Sequence, residues 1–327
     1  MKKIINIGVI GCANIADRYI IPSILELKEL FNLVGVASRN TDKAKYFAEK
    51  FDVLPYTGYE ALLEEKDLDA VYIPLPNSLH AEWIEKAFNE NLHVLVEKSL
   101  ACNLQDVERL NQIALDKDLA LVENFQFRFH NQLAFIQQLV AKGKIGKLRC
   151  LRSSFGFPPF PDKENIRYKK DLGGGALLDA GAYPVKISQI FMGYDLTVAA
   201  SSLYIDKKLD VDIFGGGYLK QQSGDLFAEI AFGFDNFYQC NLELWGSKGK
   251  ISTKRIFTAP LGYKPEVVID TESGRKTISL EADNHFQNML KHFHSLIITK
   301  SWLEEECMQN MHQARLLKEL KEKANGK

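Results

Sequence analysis

The chain has 327 residues, 46% of them hydrophobic and 25% charged, with a formal net charge of -1 at pH 7. That length suits two domains better than one core, and the composition is that of a folded globular protein rather than a disordered one. A near-neutral chain has no overall field to draw in nucleic acid or an anionic membrane, so neither is expected as a partner. The five cysteines, Cys12, Cys102, Cys150, Cys240 and Cys307, are scattered and form no Cys-x-x-Cys pair. They argue against a disulfide framework or a zinc site, and for a reducing cytoplasm.

Met1-Lys2-Lys3, the apolar run Ile4 to Ile10 and then Gly11-Cys12 have the outline of a short lipoprotein signal. The run is minimal for a signal and contains Asn6, and it reads better as a buried strand feeding a glycine turn. A helix is expected from Asn14 to Leu30, a strand from Asn32 to Ala37, and a helix from Thr41 to Phe51. Then come a strand at Ala70 to Ile73, a helix at Ser78 to Asn89, a strand at His93 to Val96, a helix at Leu104 to Lys117 and a strand at Ala120 to Glu123. Short apolar strands alternating with amphipathic helices imply βαβ units, hence an α/β doubly wound parallel sheet of the Rossmann type over residues 1–123.

The texture changes after Asn124. A helix is expected from Asn131 to Lys142 and a strand from Leu148 to Phe155; a proline-rich loop, Phe157 to Pro161, leads to Gly173-Gly174-Gly175 and a helix from Ala176 to Phe191. From Thr197 to Ile278 the pattern is strand-like, with turn signals at Gly215-Gly216-Gly217, Asp235-Asn236 and Gly246 to Gly249. Helices at His285 to Thr299 and Trp302 to Lys323 close the chain. Residues 124–327 therefore read as an α+β domain on an open, largely antiparallel sheet. No segment is long and apolar enough to span a bilayer.

Four motifs carry chemistry. Gly11-Cys12-Ala13-Asn14-Ile15-Ala16, between strand and helix, is a Gly-x-Ala-x-x-Ala variant of the dinucleotide fingerprint. Small residues let the backbone approach a pyrophosphate, and the helix start supplies N–H groups. At the end of the second strand an NAD enzyme usually places an acid for the ribose hydroxyls; this chain has Ser38-Arg39, which suits a 2′-phosphate and so NADP(H) rather than NAD(H). Glu97-Lys98-Ser99 ends an apolar strand, where doubly wound sheets bind ligands, and a lysine there is well placed for a bound carbonyl. After Gly173-Gly174-Gly175, Asp179 and Tyr183 stand four apart, on one face of a helix. Tyrosine can donate a proton once a nearby cation lowers its pKa; packing of Tyr183 in the core is an equal reading of the residues alone. His285, His292 and His294 lie along one late helix with no acidic partner at ligand spacing, so no metal is expected.

Taken together the sequence resembles the Gfo/Idh/MocA family over nearly its whole length. The carriers are Gly11 to Ala16, Leu75-Pro76-Asn77 to His80, Glu97-Lys98-Ser99 and Gly173 to Pro184. Within the family it is most similar to the NDP-sugar C-3 ketoreductases of deoxysugar biosynthesis. The resemblance implies that Lys98 and Tyr183 form the catalytic pair, in the branch that has tyrosine where many members have histidine. It implies a cofactor site that includes Leu75, Pro76, Asn77, His80, Glu97, Lys98 and Asn124 beside Gly11 to Ile15, Ser38 and Arg39. Two departures stand out: Ser99 replaces the usual proline, which frees the backbone at Lys98, and Ala13 replaces a glycine.

The expected activity is NADPH-dependent reduction of the C-3 keto group of a nucleotide-linked keto-deoxysugar. Tyr183 would give the proton, Lys98 would polarise the oxygen, and Asp179 would orient substrate hydroxyls or Lys98. Arg167, in Asn165-Ile166-Arg167-Tyr168, is a candidate for the substrate diphosphate or else a solvated loop charge. The alternatives are a dehydrogenase of free sugars or diols and a non-catalytic NADP-binding regulator. Family members commonly pair their second-domain sheets, so a homodimer or homotetramer is expected.

Overall fold

The computed structural model describes residues 3–162 and 164–326. Met1 and Lys2, the start of the signal-like segment, lie outside the described residues, as do Lys163 and Lys327, the last residue of the expected second domain. The chain makes two compact units: Met1–Phe125 with Phe286–Met311, and Gln126–His285 with His312–Lys327.

In the first unit β1 (Ile5–Ile10) leads through a π turn (Ala16–Ile20) into α1 (Ile21–Glu26). There follow β2 (Phe31–Ser38), α2 (Thr41–Phe51), β3 (Leu54–Thr57), α3 (Glu60–Leu63), β4 (Ala70–Ile73), α4 (Asn77–Asn89), β5 (His93–Glu97), α5 (Leu104–Asp116) and β6 (Leu121–Asn124). The strands are all parallel, in the order β3-β2-β1-β4-β5-β6. The chain reverses direction across the sheet between β1 and β4, which is where such sheets bind ligands. The central strands are apolar because both faces are covered: Ala70 to Ile73 and Val94 to Val96 have no exposed surface. Asn40 and Asn103 cap α2 and α5, each accepting an N–H three residues on, at 2.9 and 2.8 Å.

The helix expected over Asn14 to Leu30 is shorter and mixed. It starts at Asn14 as expected, passes at once into the π turn, in which the Ile21 N–H bonds to the Ala16 carbonyl, and ends at Glu26. Pro22 explains the π turn, because a proline ring crowds the carbonyl of the preceding turn and a wider turn relieves it. β3 and α3 carry little sequence signal: β3 is an exposed edge strand containing Pro55, and α3 is four residues long.

The second unit starts with a 3-10 turn (Gln126–Phe129), α6 (Asn131–Ala141) and β7 (Leu148–Gly156). Two short 3-10 turns (Ile166–Tyr168 and Lys170–Leu172) precede a π turn (Leu177–Gly181) that continues as α7 (Ala182–Met192). Then come β8 (Leu196–Asp206), β9 (Val211–Gln221), β10 (Phe227–Gly233), β11 (Gln239–Gly246), β12 (Gly249–Lys254), β13 (Glu266–Thr271) and β14 (Gly274–Ser279). Last in the chain are α8 (His285–Thr299), which from Phe286 on belongs to the first unit, and α9 (Leu303–Ala324), which belongs to the first unit up to Met311 and to the second from His312, so the expected second domain of residues 124–327 gives up 286–311. The eight-stranded sheet runs β14-β13-β12-β11-β7-β10-β9-β8, with only the β7–β10 pair parallel.

Gly215-Gly216-Gly217 is not a turn but the middle of β9. A Cβ at Gly215 or Gly216 would stand 2.5 Å from the Ser202 or Ile230 carbonyl oxygen, and one at Gly217 would run into Leu320 of α9. The glycines are there for close approach within a strand. On that covered face Glu319 accepts the Val198 N–H at 2.8 Å, and the Gln313 amide donates to the Ala182 carbonyl at 2.8 Å. The opposite face carries exposed aromatic pairs, Tyr204 on Phe214 with centroids 4.8 Å apart and Tyr218 on Phe227 at 5.3 Å.

The late histidines are not without an acidic neighbour: His292 Nε2 lies 2.9 Å from Glu306 Oε1, and helix packing in the first unit puts it there. Among the described residues no group of three or more His, Cys, Asp or Glu side chains could hold a metal ion. No helix among them is long and apolar enough to cross a membrane.

Candidate active site

All the sequence-marked residues of the first unit stand at the carboxyl edge of its sheet. Gly11, directly after β1, has φ +116°, and a Cβ there would lie 2.8 Å from Leu75 Cδ2, so only glycine fits between β1 and the loop after β4. Cys12 is buried behind it with its thiol pKa pushed up by burial, and its Sγ is 3.8 Å from the Lys43 carbonyl. Ala13 and Ile15 are half-buried and Asn14 is exposed. The helix starts at Asn14, and the residue before it, Ala13, has no polar group to offer the leading N–H groups. A tight glycine entry, an uncapped helix start and small neighbours are what a pyrophosphate needs, so these residues fit a dinucleotide.

Ser38 ends β2, and its Oγ accepts the Asn40 N–H at 3.2 Å. Arg39 is exposed, yet its guanidinium bonds the Tyr59 hydroxyl: burial pushes the Tyr59 pKa up and Arg39 pulls it back. Tyr59 in turn packs edge-on against Trp83 at 4.8 Å. No local sequence signal marks Tyr59, which is brought up to the β2 edge only by the fold.

The loops after β4 and β5 are joined by His80. It is fully buried, with Nδ1 2.8 Å from the Ser99 carbonyl and Nε2 2.8 Å from the Leu75 carbonyl. Burial pushes its pKa down to about 4 despite two acceptors. Near neutral pH the ring therefore carries one N–H, which it gives to one of the two carbonyls. His80 thus has no exposed edge and braces the two loops, Leu75-Pro76-Asn77 and Lys98-Ser99. The Lys98–Ser99 peptide bond is cis. Lys98 itself is half-exposed. Glu97 is held by the Tyr72 hydroxyl at 2.6 Å and the Asn124 amide at 2.7 Å, and enclosure pushes its carboxyl pKa up. Glu123, one residue before Asn124, accepts the Leu100 N–H at 2.9 Å. Tyr72 had a readable signal, since a tyrosine in an otherwise aliphatic buried strand must find a partner for its hydroxyl.

In the second unit the structure brings Arg167 and Asp179 together: Arg167 Nε donates to Asp179 Oδ2 at 2.6 Å, and the guanidinium lies over Phe160 at 4.8 Å. Arg167 is therefore not a loosely solvated loop charge. Asp179 lies in the π turn rather than in a regular α-helix shared with Tyr183, which loosens the expected four-residue stacking. Tyr183 is 7% exposed, with its ring against Phe155 at 4.9 Å, Phe257 at 5.4 Å and Phe127 at 5.9 Å. These rings fix the direction of the phenol while leaving a small part of the residue open.

A doubly wound sheet with a glycine entry at its switch point and a lysine after β5 defines a dinucleotide-binding oxidoreductase. Two family models agree with that class. The oxidoreductase family with an NAD-binding Rossmann fold matches residues 5–125, and the GFO/IDH/MocA C-terminal domain matches residues 133–252. The chain belongs to the GFO/IDH/MocA family of oxidoreductases. Among its relatives is the dTDP-3,4-didehydro-2,6-dideoxy-alpha-D-glucose 3-reductase of Actinomadura kijaniata, 39% identical over 313 residues, covering 96% of this chain and 93% of that one. A protein of the same name from Saccharopolyspora spinosa is 40% identical over 293 residues, covering 90% and 87%. The fold is similar to that of KijD10, a 3-ketoreductase from Actinomadura kijaniata in complex with NADP and TDP-benzene. The TM-score is 0.94, with 38% identity and 98% of each chain covered.

Proposed function

We propose that the chain reduces the C-3 keto group of a dTDP-linked keto-deoxysugar at the expense of NADPH. The observation that carries this reading is the likeness to dTDP-sugar 3-reductases over 96% of the chain, through both units and not the dinucleotide-binding part alone. Residues 1–123 take the dinucleotide-binding role, with 286–311 packed into the same unit, and the remainder of 124–327 the substrate-binding and oligomerisation role. Gly11 to Ile15 receive the pyrophosphate, Ser38 and Arg39 the 2′-phosphate, and Leu75 to Asn77, Glu97, Lys98 and Asn124 line the rest of the cofactor site, with His80 bracing the Leu75 and Lys98 loops.

The hydride comes from the reduced nicotinamide. Lys98 polarises the substrate oxygen, and Tyr183 supplies the proton to the developing alkoxide. Asp179 steers Arg167, whose planar fork suits the substrate diphosphate. The test is NADPH oxidation with dTDP-3,4-didehydro-2,6-dideoxyglucose: the expected product carries a new C–H bond at C-3, and no oxidation of NADPH would overturn the reading. The protein acts in the cytoplasm, in keeping with its scattered free cysteines. It assembles as a homodimer or homotetramer, and the exposed aromatic face of the large sheet supports that; light scattering at micromolar concentration checks it.

A further inference from the structure

Gly173-Gly174-Gly175 followed by a helix start is a backbone arrangement that can cradle a phosphate, because glycines allow close approach and the first N–H groups face forward. Here the chain itself supplies the anion at that place. Asp212 is the second residue of β9, beside a register shift in the β8–β9 pairing at Tyr204 and Ile205. Its Oδ2 accepts the Leu177 N–H; burial pushes its carboxyl pKa up, and the N–H groups of Leu177 and Ala176 pull it back. Gly175 has φ +117°, and a Cβ there would collide with Asp212 Oδ1. The other side of the turn is tied to the Arg167 loop: the Gly174 N–H donates to the Lys169 carbonyl at 2.9 Å and the Gly175 N–H to the Arg167 carbonyl at 3.0 Å. A Cβ on Gly174 would stand 2.6 Å from that Arg167 oxygen. One carboxylate and the glycine turn thus fix the Arg167 backbone and the start of the helix that carries Asp179 and Tyr183.

We propose that Asp212 is a positioning residue for the reaction: a built-in anion at the helix start that sets Tyr183, Asp179 and Arg167 in one fixed relation. An anion at a helix N-terminus is favoured by the free N–H groups and the helix dipole, and hydrogen bonds to an ionised acceptor are short and strong. It follows that the substrate diphosphate is not taken by this glycine turn, whose leading N–H groups Asp212 already accepts, and is left to Arg167. The proposal rests on the ketoreductase reading for its kinetic arm only.

The experiment compares the full-length parent with Asp212→Ala and Asp212→Asn. It measures kcat, KM for the keto-sugar nucleotide, NADPH affinity, and amide hydrogen exchange at Ala176 and Leu177, each with and without added formate. Small displacements of catalytic groups are worth up to about a hundredfold, so Asp212→Ala should lower kcat by about ten- to a hundredfold with NADPH affinity unchanged. Formate, the missing carboxylate, should restore part of kcat and slow exchange at the two amides. A parent-like kcat, or a loss that formate leaves untouched in both kcat and exchange, would overturn it. If the alanine variant does not fold, Asp212→Asn decides: slowed turnover with faster exchange at Ala176 and Leu177 supports the role, and parent-like values of both refute it. If the parent fails to reduce the keto-sugar nucleotide, the proposed function falls, and the formate-dependent exchange alone judges Asp212.

Discussion

Two helices in this chain are entered through glycine-led turns, and they are furnished differently. At Gly11 the helix starts at Asn14, and the residue before it, Ala13, has nothing polar to offer the leading N–H groups. At Gly175 the same kind of entry is closed by Asp212. The acid within the first turn of the Gly11 helix, Asp17, is paired with Lys50 at 2.7 Å. One backbone device therefore serves two ends. Left open, it presents N–H donors to an anionic ligand; closed from within, it becomes a rigid mount for side chains.

The largest expected effect separates the two mounts. Tyr183→Phe removes the proposed proton donor, and general acid catalysis is worth about a hundred- to ten-thousand-fold, so kcat should fall in that range. NADPH affinity, which the proposed function assigns to the open turn, should stay at the parent value. Steady-state reduction with cofactor titration in parallel decides it. A loss of NADPH binding in the same variant would break the comparison, and parent-like turnover would make Tyr183 a packing residue.

The next effect is on stability, and it sharpens a second contrast between the units. His80 in the first unit is enclosed between two carbonyls with its pKa near 4, whereas His285 in the second lies 5.3 Å from the His130 ring and is pushed down to about 3 by burial and that neighbour. A histidine held neutral by the fold takes up protons more readily once unfolded. Stability is then fully present above pH about 6.5 and is lost as pH falls toward the folded value. For His80 the loss should be about 2 kcal/mol between pH 7 and 5. Urea unfolding at the two pH values should show it, and His80→Gln should flatten that part of the slope; an unchanged slope would mean that His80 already carries its proton in the fold.

The smallest effect concerns the cofactor end of the open turn. Arg39→Ala should lower NADPH affinity about ten- to a hundredfold, the worth of a charge-assisted contact, and leave NADH binding nearly as it was. Equal affinities of the parent protein for the two cofactors would remove the 2′-phosphate from the account.

What was legible in the sequence was what is local. The alternation of apolar runs and amphipathic stretches from Ile5 to Asn124 is a neighbour-to-neighbour signal, and α2 and α8 appear at their expected ends. The open, largely antiparallel second sheet was also readable, from strand-like texture and turn signals. What escaped depends on distant partners. Nothing near Asp212 announces that it meets the N–H of Leu177, 35 positions back. The Arg167–Asp179 pair spans 12 positions across a glycine turn and follows no helical period. Gly215 to Gly217 looked like a turn because glycine clusters usually are one. Their reason is the approach of Ser202, Ile230 and Leu320, which no local window contains.

Both entry helices also share a widened first turn, Ala16–Ile20 and Leu177–Gly181, each followed by a proline, Pro22 and Pro184. A π turn is an α turn that has absorbed an extra residue. Each such turn is thus the trace of a one-residue insertion, and a one-residue deletion would reverse it. Removing Ala180 would return the segment to regular α geometry and turn Asp179 and everything before it by about 100° around the axis relative to Tyr183. The phenol would keep its aromatic nest while the carboxylate swung away from Arg167. Lineages of this fold can in that way re-aim the helix of Asp179 and Tyr183 by gaining or losing one codon, without touching the identity of either side chain.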